Sequence, residues 1–416
     1  MKIWFIEIGE PLPLEENARL LRYARLSAFL ASKGHTVTWF ASTFSHAKKA
    51  HLFTEDKEQN WQDVKLKLLH TSSGYKKNMS LNRIRHQMVY AKALKKALDI
   101  ADKPDLIILP IPTLENAHVV TQYAHKNSIP YILDIRDNWP DEYIRWLPRW
   151  SQLIASLIVW PLEKILQNAS AGATGIMGVS QLQLDYGIAH AGRAQCKKDK
   201  VFYLGYHQDN LAGHELENAK KWLSTKIQEN RFTISFIGTM GSSRDLTSII
   251  KITKQMNKAG KFIQFLIAGN GDHLQYYKEL AADHPSIIFL GWVDKYRIDA
   301  IMQTSDLVIA PYRPDSNMSL PTKYFEYMAA GRPVLSSCVG EAKMLIEKHD
   351  IGYYYDLEDL TGLQKILHHC LENQDELQEK GARAQIIFKQ HFSFDVLFPK
   401  IENYFCERLE AFHAQF

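Results

Sequence analysis

Residues 319–336 read Ser319-Leu320-Pro321-Thr322-Lys323-Tyr324-Phe325-Glu326-Tyr327-Met328-Ala329-Ala330-Gly331-Arg332-Pro333-Val334-Leu335-Ser336. The pattern is a loop, a helix opened by proline, a glycine stop and a strand. Pro321 suits the first helical position, where its missing N–H would have had no helical partner. The amides of Thr322 and Lys323 then face outward at the positive end of the helix dipole, a ready seat for a diphosphate. Lys323 adds a mobile cation. Glu326, one turn further in, can accept hydrogen bonds from a ribose diol. Gly331 and Pro333 end the helix sharply and start the next strand. The alternative is an ordinary amphipathic helix whose Lys and Glu are solvated, and the surrounding chain bears on the choice.

A chain of 416 residues predicts two domains, or three, each with its own core. Hydrophobic content of 46% and charge of 23% are those of a soluble globular protein. Cys196, Cys338, Cys370 and Cys406 lie far apart without metal-ligand spacing, which reads as reduced thiols in a cytosolic protein. Lys2 is followed at once by a strand-like run, so no secretory signal is expected. The longest apolar stretch, Leu153–Leu162, is too short to span a bilayer and contains Pro161. Residues 1–205 carry 27 Lys and Arg against 19 Asp and Glu, whereas the remainder carries 23 against 27. A basic first half points to an anionic surface or substrate on that side. With no arginine-rich stripe interleaved with aromatics, nucleic acid is not an expected partner.

Apolar strands alternate with helical patterns, which predicts parallel, doubly wound sheets. In the first half the expected strands are Lys2–Gly9, Thr36–Ala41, Val64–His70, Asp105–Pro110, Tyr131–Asp134, Gly175–Val179 and Val201–Leu204. A helix is expected from about Asn17 to Ser32. The polar stretch His207–Arg231, with a helix over Glu215–Gln228, breaks the rhythm and reads as the domain boundary. Strands resume at Phe232–Ile237, Phe262–Ala268, Ile287–Leu290, Leu307–Ala310, Pro333–Ser336 and Gly352–Tyr355, followed by a helical tail. The expected division is an N-terminal Rossmann-like domain over 1–206 and a linker over 207–231. A second such domain follows over 232–390, and a C-terminal helix over 391–416 packs back on the first. Two doubly wound halves would turn their strand C-termini toward each other across a cleft.

In the second half, four loops at strand ends suit a nucleotide. Gly238-Thr239-Met240-Gly241-Ser242-Ser243-Arg244 has glycines that let backbone approach a phosphate, and Arg244 can bind one bidentately. Gly269-Asn270-Gly271-Asp272 can wrap a base or ribose. Gly291-Trp292-Val293 can read a base edge through its backbone. The helix start at Pro321–Glu326 is the fourth. Each alone is more simply a turn; together they mark the usual ligand position of such sheets.

These residues resemble the retaining, nucleotide-sugar-dependent glycosyltransferases of family 4, which have the GT-B fold. The resemblance rests on Phe236-Ile237-Gly238, Leu266-Ile267-Ala268-Gly269-Asn270-Gly271, Ile288-Phe289-Leu290-Gly291-Trp292-Val293, Ser305–Pro311 and Glu326–Val334. It is strong over 232–345. It is looser in the first half, where Gly34-His35-Thr36-Val37 and Asp134-Ile135-Arg136-Asp137-Asn138-Trp139-Pro140 look like the subgroup that builds bacterial surface polysaccharides on a lipid carrier. The resemblance implies a UDP- or GDP-sugar donor, a lipid-linked saccharide acceptor, no metal and no resident cofactor, since the nucleotide-sugar is a substrate. It implies that Arg244 binds the donor diphosphate, that Glu326 holds the ribose, and that the backbone of Thr322 and Lys323 binds the distal phosphate. Three positions depart from the family pattern. Met318 replaces a glutamate, Thr239 replaces an arginine, and the Ile108–Thr113 loop lacks a histidine.

In the first half, Gly9-Glu10-Pro11 closes the first strand, where the family has a glycine loop admitting acceptor and donor phosphate; a plain strand–helix turn is the alternative. Asp137 is a candidate to orient or deprotonate an acceptor hydroxyl, and Arg136 a candidate to bind its phosphate. An internal Arg136–Asp137 pair is the other reading. From Tyr143 to Lys164, Trp146, Trp150, Trp160 and many aliphatic residues sit among Arg145, Arg149 and Lys164. That composition suits a helix lying on the inner face of the cytoplasmic membrane, or else a core helix covering the sheet. The expectation as a whole is a cytoplasmic, membrane-peripheral glycosyltransferase. Its rivals are a nucleotide-sugar epimerase of the same architecture and a non-catalytic partner subunit.

Overall fold

Aliphatic and β-branched runs, buried on both faces, form two separate parallel sheets. The structure, a computed structural model, describes residues 1–15, 18–77, 80–145, 147–209, 211–316 and 318–414. The chain divides into two units: Met1–Leu204 with Leu397–Phe416, and Gly205–Val396.

The first unit holds β1 (Lys2–Ile6), β2 (Thr36–Ser42), the short pair β3 (Phe44–Ser45) and β4 (Ala50–His51), β5 (Lys57–Trp61), β6 (Val64–Leu69), β7 (Leu106–Ile111), β8 (Tyr131–Ile135), β9 (Gly175–Gly178) and β10 (Asp199–Val201). Its main sheet runs β10-β9-β8-β7-β1-β2-β6-β5. All neighbours are parallel except β5, which pairs antiparallel with β6. Every residue of β7 is buried, as a central parallel strand requires. Helices Leu81–Ile100 and Leu114–Asn127 lay Tyr90, Leu94, Ala117 and Val120 into a core with Trp4, Phe40, Leu109 and Leu133.

Strand β5 was not expected. Its residues, Lys-Glu-Gln-Asn-Trp, have no apolar alternation because this edge faces solvent. Glu58 there meets Lys65 at 2.8 Å and Lys67 at 3.1 Å on β6. The first helix also differs, running from Arg22 to Ser32; Asn17 lies outside the described residues.

The second unit holds β11 (Phe232–Ile237), β12 (Ile263–Ala268), β13 (Ile287–Gly291), β14 (Leu307–Ala310), β15 (Val334–Ser336) and β16 (Gly352–Tyr354). They run β13-β12-β11-β14-β15-β16, parallel throughout. The chain therefore reverses its direction of travel across the sheet between β11 and β14. In the first unit it does so between β1 and β7. Loops at such points leave a crevice outside the strand C-termini.

Residues 207–231, expected as a linker, fall within the second unit. Helix His214–Ser224 buries Leu216, Ala219 and Leu223 and packs on helix Lys295–Thr304, with Arg297 over the Trp222 ring at 4.7 Å. An apolar helical face of this kind needs a partner, so the stretch folds onto its own unit. Helix Phe394–His413 closes the chain, and from Leu397 it groups with the first unit. There Glu402 meets His35 at 2.9 Å and the Tyr404 hydroxyl donates to Lys198 O at 2.7 Å.

Candidate functional site

In the second unit, backbone bonds join the loops after β11, β12 and β13 edge to edge. Gly238 N–H donates to Ala268 O at 2.9 Å, Gly269 N–H to Gly291 O at 2.7 Å, and Met240 N–H to Asn270 O at 2.9 Å. Gly269 has φ +131°, and a Cβ there would lie 1.9 Å from Gly238 O. Only glycine allows these two backbones to approach so closely. Val293 is buried beneath the third loop, whereas Asn270 and Thr239 reach solvent.

Arg244 crosses to the other side of the reversal. It donates from one guanidinium nitrogen to Thr239 O at 3.1 Å and from the other to the Tyr312 hydroxyl at 3.2 Å, with its plane over the Tyr312 ring. Tyr312 directly follows the loop residue Pro311 after β14 and is buried; desolvation raises its pKa against the pull of Arg244, so the hydroxyl stays neutral. The guanidinium is thus held, half-exposed, at the β11–β14 switch point.

The helix of the opening motif spans Thr322–Ala329. Pro321 is its N-cap (φ −64°, ψ 146°), one position earlier than expected. Tyr324 N–H donates to Pro321 O at 3.0 Å and closes the first turn, leaving the Thr322 and Lys323 amides ahead of the ladder. Tyr324, Phe325, Tyr327 and Met328 are buried, which fixes the helix against β14 and β15. Gly331, at φ +65°, ends it, with Gly331 N–H on Met328 O and Arg332 N–H on Tyr327 O. Lys323 is not the mobile cation expected: its Nζ lies 2.7 Å from Glu326 Oε2, and both side chains are largely buried. Met318, at the position of the missing glutamate, is half-exposed, and its carbonyl accepts from the Cys338 thiol at 3.2 Å.

In the first unit, the loops after β1, β7 and β8 surround a cavity of about 280 Å³ that Glu7, Gly9, Glu10, Thr113, Arg136 and Asp137 help to line. The expected Gly9, Glu10, Arg136 and Asp137 are therefore brought together. Their pairing differs from either expectation. Arg136 reaches Glu7 at 3.2 Å and Glu10 at 3.0 Å, not Asp137, and its charge is engaged by two buried carboxylates rather than held ready for a phosphate. Glu10 also accepts from Tyr23 N–H at 2.9 Å, which pins it below the surface. Asp137 reaches solvent, yet the protein packed about it raises its pKa despite Arg136, with Glu142 adding to the rise.

Glu7 was missed. It stands one residue beyond β1 and accepts from the Gly9 and Glu10 amides. Burial, opposed by Arg136 and reinforced by Glu10, pushes its carboxyl up to about 7. Its sequence setting, Ile6-Glu7-Ile8, is that of a polar residue in a strand, and only the position at a switch point could have marked it. His46, Tyr75 and Arg83 on the same wall were also missed; His46 lies between β3 and β4, Tyr75 after β6 and Arg83 on helix Leu81–Ile100, with no shared motif.

The segment 143–164 forms two helices, Asp141–Arg145 and Arg149–Gly172, parted at Leu147-Pro148; Trp146 lies outside the described residues. Ala155, Val159 and Leu166 face the unit, while Trp150, Leu153, Ile154, Leu157, Ile158 and Trp160 are exposed. The core-helix alternative therefore holds for one face only. Among the described residues, no helix is long and apolar enough to cross a membrane, and no group of three or more His, Cys, Asp and Glu is placed to hold a metal ion.

Residues 231–373 match the family model of the glycosyl transferases group 1. An uncharacterized 41.2 kDa protein in the cps region of Klebsiella pneumoniae is 23% identical over 188 residues, 45% of this chain and 50% of that protein. The chain spans half or less of the length of the curated relatives it matches. Among solved structures, sucrose-phosphate synthase from Thermosynechococcus elongatus superposes with a TM-score of 0.74 at 12% identity, covering 99% of each chain. HepE of Anabaena, solved in complex with UDP, gives a TM-score of 0.67 at 18% identity, covering 98% of this chain and 100% of its own. The chain thus has the GT-B fold, and its second sheet with the loops described above lies in a segment, residues 231–373, that matches the glycosyl transferases group 1.

Proposed function

We propose that this protein is a glycosyltransferase that moves a sugar, with retention and without a metal, from a UDP- or GDP-sugar to a hydroxyl of a lipid-linked saccharide in surface-polysaccharide synthesis. The observation that carries the reading is Arg244 held on Tyr312 at the β11–β14 reversal, together with the helix-start amides of Thr322 and Lys323 that follow β14 and the close Gly238–Gly269 backbones, all inside the matched segment. HepE, of like fold, binds UDP, and the Klebsiella relative is encoded in a cps region; both support the reading.

In this reading the bond from the anomeric carbon to the diphosphate breaks and the acceptor oxygen bonds to that carbon. The hydroxyl proton passes to the Asp137 carboxylate. Negative charge gathers on the departing diphosphate, where the helix start, Lys323 and Arg244 stabilise it as it develops. Glu326 holds the ribose. Gly9, Glu10 and Arg136 shape the acceptor pocket, with Arg136 acting through the two carboxylates it holds.

Trp150, Leu153, Leu157 and Trp160, flanked by the exposed Arg149 and Lys164, rest on the cytoplasmic face of the membrane, where a lipid-linked acceptor resides. Isothermal titration of the full chain with UDP and GDP, followed by transfer of labelled sugar into lipid-extractable product, tests the reading. Nucleotide binding with labelled lipid product is expected. A chain that binds neither nucleotide, or binds one but only interconverts free donor, overturns it.

A further inference from the structure

Two buried side chains on the wall of the first unit's cavity of about 280 Å³ carry oxygens that the protein leaves unbonded. Thr113, after β7, is 5% exposed, and Gln87, on helix Leu81–Ile100, is 3% exposed. Neither Thr113 Oγ1 nor Gln87 Oε1 has a hydrogen-bond partner. Buried polar atoms are ordinarily bonded, because an unbonded one has lost its water for nothing in return.

Thr113 also leaves unused the role that its position offers. It is the N-cap of helix Leu114–Asn127, a helix of 14 residues, with extended φ −113° and ψ 142°. A threonine hydroxyl there normally accepts from one of the helix's first amides. Thr113 makes no such bond. Its hydroxyl is committed neither to the helix behind it nor to any other part of the fold.

The rest of the wall narrows the chemistry of the ligand. Arg136 is engaged by Glu7 and Glu10, and Arg83 lies over the Trp139 ring at 4.9 Å. Burial lowers the pKa of His86, whose Nδ1 meets Ser73 O at 2.7 Å, so that ring is neutral. Gln87 Oε1 only accepts, and an ionised phosphate or carboxylate has no proton to give it. A sugar hydroxyl both donates and accepts, and so suits Gln87 and Thr113 alike. Phe44 and Tyr75, with ring centres 4.8 Å apart, add an apolar wall for the C–H face of a sugar ring. The cavity lies just under the roughly 300–1,000 Å³ of pockets for drug-sized ligands, which suits one ring rather than a longer saccharide.

We propose that Thr113 and Gln87 determine acceptor specificity, by reading hydroxyls of one uncharged sugar of the acceptor held in this cavity against Phe44 and Tyr75. The inference deepens the transferase reading and rests on it for the sugar's being the acceptor's, though not for a sugar site in the first unit.

Titration of the full chain in saturating UDP, by calorimetry and saturation-transfer NMR, tests it. The probes are the methyl glycosides of glucose, galactose, mannose and N-acetylglucosamine, with methyl glucuronoside as the charged member. The titrations are repeated on Thr113→Val and Gln87→Met, which keep the shape and remove the polar atom, and with monodeoxy forms of the tightest-binding glycoside. Melting temperature and UDP affinity are measured alongside. An uncharged glycoside is expected to bind wild type, and each variant at least tenfold more weakly. Each variant should be indifferent to the loss of one hydroxyl whose removal costs wild type at least tenfold, a coupling that a merely structural role would not produce. UDP affinity should not change, and Thr113→Val should melt as wild type does, because Thr113 caps nothing. Where Gln87→Met melts early, the deoxy-sugar comparison on Thr113→Val decides. Equal affinity in wild type and variants, tightest binding of the glucuronoside, or no glycoside bound while UDP binds overturns the inference and leaves the donor reading standing. Variants that bind glycosides normally but change the discrimination between UDP-glucose and UDP-galactose assign the two residues to the donor's sugar and also overturn it. Should UDP fail to bind while the variants still lose the glycoside, the sugar site stands and the transferase reading falls.

Discussion

Lys323 Nζ lies 2.7 Å from Glu326 Oε2, three residues on along a largely buried helix, so the expected phosphate cation and the expected ribose acceptor are partners of each other. Removing one member of such a pair leaves the other charge buried without it, which typically costs about 3–5 kcal/mol. Replacing both can cost far less.

Glu326→Ala and Lys323→Ala are therefore each expected to lower both thermal stability and UDP affinity. The double variant should regain much of the stability but none of the affinity. A double-mutant cycle read by thermal melts and by UDP titration checks this. Stability losses that simply add would mean that the pair contributes no coupling.

At Gly269 the backbone offers no room. A Cβ would meet Gly238 O at 1.9 Å, in a φ region that L side chains rarely adopt. Gly269→Ala must part the loops after β11 and β12. UDP binding is expected to weaken by at least tenfold, with a melting temperature several degrees lower, on the basis of roughly 2–4 °C per kcal/mol for a unit this size. Unchanged UDP affinity in a folded variant would show that these loops do not touch the nucleotide.

The strands were legible because parallel strands are buried on both faces and read as unbroken apolar runs; β11 and β14 have the bounds that the sequence predicts. Strand β5 was not, since an edge strand of Lys, Glu, Gln and Asn carries no alternation. The donor loops were legible because glycines must recur where backbones meet, as at Gly238 and Gly269. Side-chain pairing was less so. Lys323 and Glu326 have the spacing to pair, but solvation and pairing look alike in one dimension. Glu7 and Arg136 lie 129 residues apart, and their contact exists only once β1 and β8 flank β7.

Glu7 should make stability depend on pH. Its carboxyl is pushed from an ordinary value of 4.5 up to about 7 by burial, with Glu10 raised in the same direction. Between those pH values the folded chain keeps a proton that the unfolded chain has released. Stability therefore falls as pH rises from about 4.5 to 7, then levels off. Glu7→Gln carries no such proton, so its melting temperature relative to wild type is expected to climb by a few degrees from pH 5 to pH 7.5. Differential scanning fluorimetry across that range measures it; parallel curves would place the Glu7 titration elsewhere.

The exposed face of helix Arg149–Gly172 makes the membrane proposal testable apart from catalysis. Trp150, Leu153 and Leu157 are 80%, 80% and 76% exposed and follow one another at helical spacing, with Ala155 and Val159 turned inward. Sinking a leucine fully into an apolar phase is worth about 1.5–3 kcal/mol. Leu153→Glu/Leu157→Glu is thus expected to cut flotation with phosphatidylglycerol vesicles by at least tenfold. Because neither side chain packs against the unit, the melting temperature and UDP affinity should stay as in wild type. Transfer to a short-chain, water-soluble acceptor should persist, while transfer to acceptor embedded in vesicles falls. A variant that floats like wild type would remove this face from the membrane contact, and one that melts early would show the two leucines packed after all.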